Sequence, residues 1–173
     1  MKKNVKLQLL TLTIMMAFLL VPFTTNAQGS KANFAGTWAL NAEKSNFGDA
    51  QGGGQRMGGG NFVAKQEANL LTVDRTRTGQ DGQQVTTTSK YTLDGIVSVN
   101  TTGRGESKSV ATWSADGKTL TIVTTRSFER DGQTTEMKTT EIWSLPSATS
   151  LSIASTSSTP NGERKTTAVY DKK

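Results

Sequence analysis

Turn-forming dipeptides recur from residue 81 to residue 162 of this chain and divide that part into short segments. Asp-Gly or Asn-Gly occurs at 81–82, 94–95, 116–117, 131–132 and 161–162. These dipeptides tolerate the positive φ angles that two-residue hairpin loops require. The spacing therefore predicts a succession of β-hairpins rather than helices or long loops.

The segments between these turns alternate in polarity as half-buried strands do. One phase of each segment carries its large apolar side chains, and the other is mainly Thr, Ser and Lys. Three such phases are Val85, Thr87, Ser89, Tyr91 and Leu93; Leu120, Ile122, Thr124, Arg126 and Phe128; and Met137, Thr139, Glu141, Trp143 and Leu145. We predict that these phases face the interior of the fold.

Ten strands are predicted, at about 34–41, 62–68, 70–78, 83–93, 96–102, 108–115, 119–129, 133–145, 150–158 and 163–171. Tight turns between consecutive strands indicate an up-and-down meander, and closure removes its two unpaired edges. We therefore expect an all-β fold, a single antiparallel up-and-down β-barrel of about 8–10 strands. A two-sheet sandwich is the alternative, but it needs longer crossovers than these turns provide.

The first 27 residues have the pattern of an export signal. Lys2, Lys3 and Lys6 precede the apolar run LLTLTIMMAFLLVPF (9–23), and TNA (25–27) suits cleavage before Gln28. The sequence thus predicts a cleaved signal peptide (1–27) and one barrel domain (28–173). No Cys follows the signal to accept a lipid, so we expect a periplasmic or extracellular protein that is neither a lipoprotein nor membrane-spanning after cleavage.

Composition narrows the chemistry that the chain can perform. His and Cys are both absent, which excludes Ser-His-Asp and Cys-His nucleophiles as well as His or thiolate metal sites. Removing the signal leaves 17 basic and 14 acidic residues, a net charge of +3 without clustering. Nucleic-acid binding needs a concentrated basic surface and is not expected. We predict neither enzymatic activity nor a cofactor or metal.

The segment NFAGTWALNAEKSNFG (33–48) carries the most specific signal. Gly36-Thr37-Trp38 resembles the G-x-W opening of the calycin superfamily, which includes lipocalins and fatty-acid-binding proteins. It also resembles the opening of small exported bacterial lipocalin-like proteins. The resemblance implies that Gly36 allows close approach of another segment and that Trp38 plugs one end of the barrel. In lipocalins a late Arg packs across this Trp, a role that the resemblance implies for Arg164.

The chain departs from these families in three ways. It has no second lipocalin motif, no disulfide, and more strands than the eight typical of lipocalins. Ten strands are closer to fatty-acid-binding proteins, but those insert a helical lid where this chain has SNFGDAQGGGQRMGGGN (45–61). No Lys-Ser/Thr pair follows these glycines and a strand comes next, so a phosphate-binding loop is excluded. We predict a flexible loop over 46–61, a spacer or a flap at one mouth of the barrel.

Candidate ligand contacts are the large and charged side chains of the interior phases. The predicted set is Tyr91, Trp113, Ile122, Arg126 and Trp143. Arg126 is the candidate anion contact, because the resemblance implies an inward Arg that holds a carboxylate; alternatively it reaches water at the barrel end. The Trp residues either line a pocket or fill the core. Glu141 shares their phase, and we interpret it as a rim residue or the partner of a cross-strand Arg.

Two functions remain open at this point. In the first, the barrel binds a small apolar or amphipathic ligand in its interior. In the second, the core is filled and the loops bind a protein, as in an envelope scaffold or a periplasmic enzyme inhibitor.

Overall fold

The structure, a computed structural model, describes residues 30–48, 60–79, 81–102, 105–130, 133–159 and 162–173. The predicted signal peptide and residues 49–59 of the predicted flexible loop lie outside these ranges. The described chain forms ten strands. They are β1 (Gly36–Asn46), β2 (Phe62–Gln66), β3 (Leu70–Thr78), β4 (Gln84–Thr92), β5 (Val97–Thr102), β6 (Gly105–Trp113), β7 (Thr119–Arg130), β8 (Gln133–Ser147), β9 (Ser150–Thr159) and β10 (Gly162–Lys172).

All ten strands belong to one antiparallel sheet, in the order β4-β3-β2-β1-β10-β9-β8-β7-β6-β5. Each strand pairs with its chain neighbour except across β4–β5, and β1 pairs with β10. Side chains of β5 span the remaining seam. Asn100 bonds both main-chain polar groups of Lys90, and the Ser98 hydroxyl accepts the N–H of Thr92. This nearly closed barrel confirms the predicted meander and rules out the sandwich.

The Asp-Gly dipeptides occupy the turns as predicted. Gly82, Gly95 and Gly117 have φ angles of 78°, 81° and 70°, which glycine adopts without steric penalty. At the β6–β7 turn, the Asp116 carboxylate accepts the Ser114 hydroxyl at 2.7 Å and the N–H of Lys118 at 3.0 Å. These local bonds fix the turn and hence the register of the hairpin. The dipeptide at 131–132 and Asn161 lie outside the described ranges.

An aromatic floor fills one end of the barrel. It consists of Phe34, Trp38, Phe62, Trp143 and Tyr170, each at most 2% exposed. The rings meet at angles, with centroids 4.9 Å apart for Phe62–Tyr170 and 5.7 Å apart for Phe34–Trp143. The indole Nε1 of Trp38 donates to the Phe34 carbonyl at 2.8 Å. Aromatic packing with the polar atom bonded makes this end a solid plug.

The segment before β1 covers the floor. The N–H of Ala32 donates to the Gly117 carbonyl at 2.9 Å, and the N–H of Phe34 donates to Oε1 of Gln66 at 2.9 Å. The amide of Gln66 also donates to the carbonyl of Ala32. The chain is thereby tied across this end from β2 to the β6–β7 turn.

The start of β1 lies against the end of β10, and this contact corrects one prediction. The ammonium of Lys172 lies 5.5 Å from the centre of the Trp38 ring, and Trp38 is in register with Lys172. Arg164 lies eight residues earlier on the same strand, about 26 Å away, and donates to the Phe47 carbonyl. Packing of Arg164 across Trp38 is therefore wrong, because the register of β10 places a Lys there.

In the described part of the chain, no helix has the length and hydropathy needed to span a membrane.

Candidate functional site

The interior is layered, because in-register residues of antiparallel neighbours share a face. Just above the aromatic floor lies a row that mixes apolar and polar side chains: Ala111, Ile122, Glu141, Ser155 and Thr166. The next row consists of hydroxyls on five consecutive strands. We call this set the hydroxyl row; it comprises Ser98, Ser109, Thr124, Thr139 and Ser157.

Arg126 lies one row further from the floor. It is in register with Ser107 and Met137, and Ser107 is buried, so the guanidinium stem starts on the interior face. Its Nε is buried and has no hydrogen-bond partner among the described residues. A buried guanidinium N–H without an acceptor is unfavourable. Among the described residues, the Nε–H of Arg126 therefore lacks the hydrogen-bond acceptor that a polar or anionic ligand would supply.

Glu141 is the carboxylate of this interior. Its Oε2 accepts the indole Nε1 of Trp143 at 3.0 Å, which anchors the carboxylate to the aromatic floor. The register partners of Glu141 are Ile122 and Ser155, so it lies inside the barrel between β7 and β9. Its interpretation as a rim residue is therefore wrong.

The charged side chains of this region affect the pKa of the Tyr91 phenol. Burial raises the pKa of its phenol, and the charge of Glu141 raises it further. A hydrogen bond with Ser89 and the charges of Arg75 and Arg126 act in the opposite direction on this pKa. The phenol thus lies within electrostatic reach of one carboxylate and two guanidinium groups.

Arg75 connects this charged layer to the floor. Its guanidinium carbon lies 4.6 Å from the centre of the Phe62 ring, and its side chain hydrogen-bonds Tyr170. Burial raises the pKa of Tyr170, and Arg75 acts to lower it. A cation held over one ring and bonded to a neighbouring phenol is pre-oriented. Arg75 and Glu141 therefore act on both buried tyrosines, and Arg126 acts on Tyr91.

Metal-ligating groups are not gathered in this region. In the ranges that the structure describes, no cluster of three or more Asp, Glu, His or Cys side chains is placed to hold a metal ion. The polar chemistry of the interior is that of guanidinium, phenol, carboxylate and aliphatic hydroxyl groups.

Comparison with solved structures places the fold. The chain is similar to the zebrafish ileal bile acid-binding protein complexed with cholic acid, at a TM-score of 0.52 and 18% identity. The match covers 81% of this chain and 98% of the other. The fold is similar to the fatty-acid-binding-protein-like β-barrel of that protein. No protein-family model matches the sequence, and no curated protein matches it either.

The barrel separates the five predicted ligand contacts into two levels. Tyr91 and Arg126 lie among the charged and hydroxyl side chains. Ile122 and Trp143 are at most 1% exposed and belong to the core beneath them. Trp113 lies at the floor, stacked on Phe34 with ring centroids 5.8 Å apart, and its buried Nε1 has no partner in the described chain. A ligand role for these residues remains a prediction.

Three further residues of the barrel interior were missing from the predicted set of ligand contacts. Tyr170 alternates with Ala168 on β10, Arg75 follows Val73 in phase, and Asn100 follows Ser98 in phase. Alternation places each on the interior side. That Arg75 bonds Tyr170 and acts on Tyr91, and that Asn100 bonds Lys90, depends on how the strands stagger around the barrel, which alternation does not encode.

Proposed function

We propose that this barrel binds a small amphipathic anion above its aromatic floor, with the anionic group at Arg126. The observation that carries the proposal is the buried Nε of Arg126, which lacks a hydrogen-bond partner among the described residues. A carboxylate supplies the two acceptor oxygens that a guanidinium binds best.

The charges of the interior support an anionic ligand. Arg75, Arg126 and Arg164, which is in register with Ser157, lie on the interior face with Glu141, so positive charge is in excess among these residues. Met137 is the register partner of Arg126 and offers an adaptable apolar surface beside it. The zebrafish protein of similar fold was crystallised with cholic acid, which is also amphipathic and anionic.

The proposed activity is binding without catalysis. The sequence has neither His nor Cys, so the usual base and thiol nucleophile are both missing. The groups near Arg126 are suited to holding an anion rather than to transferring a proton at neutral pH.

Removal of the guanidinium tests the proposal. The Arg126→Met variant keeps an unbranched apolar stem and removes the guanidinium, and Lys138→Met removes a cation at nearly the same height from the exposed outer face. Titration with the anionic dye anilinonaphthalene sulfonate measures the dissociation constant of each variant. A charge-assisted hydrogen bond contributes about 1.5–3 kcal/mol, so Arg126→Met should weaken binding about 10- to 100-fold. Lys138→Met should bind as the wild type does; equal affinities in all three proteins would contradict the proposal.

A protein-binding role is the second candidate. Ile96, Val97 and Val99 are 63%, 53% and 55% exposed at the start of β5, beside the seam with β4. Grouped exposed apolar side chains are typical of interaction surfaces. A Val97→Lys/Val99→Lys variant should lose any protein captured by the wild type from its host. Retention of every captured protein would exclude this surface.

We also propose that the protein is exported after cleavage before Gln28. The charged and apolar halves of residues 1–27 support this. Amino-terminal sequencing of protein from the host should begin at Gln28, whereas a product beginning at Met1 would exclude cleavage.

A further inference from the structure

We infer that the preferred ligand is a multiply hydroxylated carboxylate rather than a plain aliphatic acid. This inference rests on the proposed function and specifies the chemical class of its ligand. It rests on two observations: the hydroxyl row of the interior wall and the close packing of the aromatic floor.

The hydroxyl row forms a continuous polar band on the interior wall. Ser109 and Thr124 hydroxyls lie 2.9 Å apart, and Thr139 and Ser157 hydroxyls lie 3.2 Å apart. Neighbouring strands are about 4.8 Å apart, so the two bonded pairs are centred roughly 10 Å from each other. Each hydroxyl has one donor and two acceptor sites, so every pair retains capacity to bond a further polar group.

The row is also correctly placed relative to the anion contact. Thr124 precedes Arg126 by two residues on β7, so their Cα atoms are about 7 Å apart on the same face. Thr124, Thr139 and Ser157 are half-buried, which leaves part of their surface accessible. A ligand that places its carboxylate at Arg126 therefore has these hydroxyls along its body.

At the level of the hydroxyl row, an alkyl chain meets hydroxyl groups rather than an apolar wall. The large apolar side chains of the interior pack against each other, and those of the core are at most 4% exposed. An alkyl chain at the hydroxyl row displaces water from hydroxyl groups without replacing its hydrogen bonds. Ligand hydroxyls replace those bonds, so the wall favours a hydroxylated body.

Competition between two matched acids tests the inference. Palmitic acid and its trihydroxylated derivative aleuritic acid share a carboxylate and a carbon chain of equal length. In displacement of anilinonaphthalene sulfonate from the full-length wild-type protein, aleuritic acid should bind at least about 10-fold more tightly, the value of one or two hydrogen bonds. Equal binding, or tighter binding of palmitic acid, overturns the inference and leaves the proposed function standing. Displacement by neither acid overturns the inference as well, and the Arg126→Met titration then decides the proposed function separately.

Removal of the wall hydroxyls provides the matched control. Thr124→Val/Thr139→Val keeps side-chain shape and removes one hydroxyl from each bonded pair, whereas Thr125→Val/Thr140→Val makes the same change on the outer face. The inner variant should lose the preference for aleuritic acid by about 10-fold, and the outer variant should retain it. If the inner variant does not fold, as judged by circular dichroism, the single Ser157→Ala change gives the same readout. An unchanged preference in a folded inner variant overturns the inference.

Discussion

The side-chain amide of Asn100 pairs with both main-chain polar groups of Lys90. Its Oδ1 accepts the Lys90 N–H at 2.7 Å, and its Nδ2 donates to the Lys90 carbonyl at 2.9 Å. An Asn amide carries the same donor and acceptor as a peptide group, so this one side chain replaces a ladder rung between β4 and β5. The residue is 8% exposed and lies in register with Ser107, whose hydroxyl donates to the Asn100 carbonyl.

Replacing Asn100 should loosen this seam selectively. Asn100→Ala removes both bonds, and we expect a decrease of about 1–3 kcal/mol in the free energy of unfolding. The amide hydrogen of Lys90 should exchange faster, as measured by NMR. Asn69→Ala removes an exposed bond to Asp94 and serves as the control. Unchanged exchange at Lys90 in Asn100→Ala would show that the side chain does not hold the seam.

We expect substitution of Gly36 to destabilise the fold mainly because of its backbone conformation. Its φ of 150° is rarely adopted by residues with a side chain, and an added Cβ would lie 2.7 Å from Cε of Lys172. We expect Gly36→Ala to destabilise the fold by about 1–3 kcal/mol in urea denaturation. Because the Lys172 side chain is flexible, most of this loss should persist when Lys172→Ala is the background. Disappearance of the loss in that background would assign it to the contact instead.

Two Trp→Phe substitutions should differ in their effect on the free energy of unfolding. Trp143→Phe removes a fully buried ring edge and the bond to Glu141, so we expect a loss of about 2–4 kcal/mol. Trp113→Phe keeps a ring stacked on Phe34 and removes a donor that has no partner among the described residues. Its effect should lie within about 1 kcal/mol, because a lost unsatisfied donor offsets lost area. Similar losses in thermal and urea denaturation would refute this difference.

The tyrosines provide a titration signal without a probe. Tyr91 and Tyr170 are the two tyrosines of the chain, and burial raises the pKa of both above the ordinary 10.0. A raised folded pKa contributes stability below pH 10.0, and this contribution is lost as the pH rises through the folded values. The tyrosinate absorbance of the native protein should therefore appear above pH 10, and that of the urea-unfolded chain near 10.0. Tyr91→Phe should halve the native signal; a native midpoint at or below 10.0 would contradict the assigned burial.

Short sequence patterns were sufficient to predict the strands. Asp-Gly at 94–95 and 116–117 specified tight turns, and the alternation around Ile122 specified an inward face, because both depend on a few adjacent residues. Ten predicted strands are therefore confirmed, although β1 continues past the predicted boundary to Asn46. There the register shifts between Asn41 and Asn46, and such irregularities depend on the partner strand β10.

The candidate site was only partly predictable. The two-residue alternation predicted that Arg126 and Tyr91 face the interior, and both do so in the structure. Phase also suggested one pocket that included Trp113 and Trp143, whereas these indoles pack with Phe34 at the floor. Alternation gives the side of a strand on which a residue lies, but not its depth in the barrel.

By itself, the sequence determined the strand number, the turns and the inward face of most of β7 and β8, because these follow from backbone preferences and a two-residue period. Val85 and Phe128 belong to predicted inward phases but are 41% and 38% exposed, because they lie near the ends of their strands. Tertiary structure alone decided that Lys172 lies over Trp38, that Asn100 spans the seam to Lys90, and that Arg75 hydrogen-bonds Tyr170. These relationships join residues far apart in the chain, and their heights are set by the stagger of strands on closure. That stagger is a property of the whole closed sheet, since each hairpin's register contributes to it.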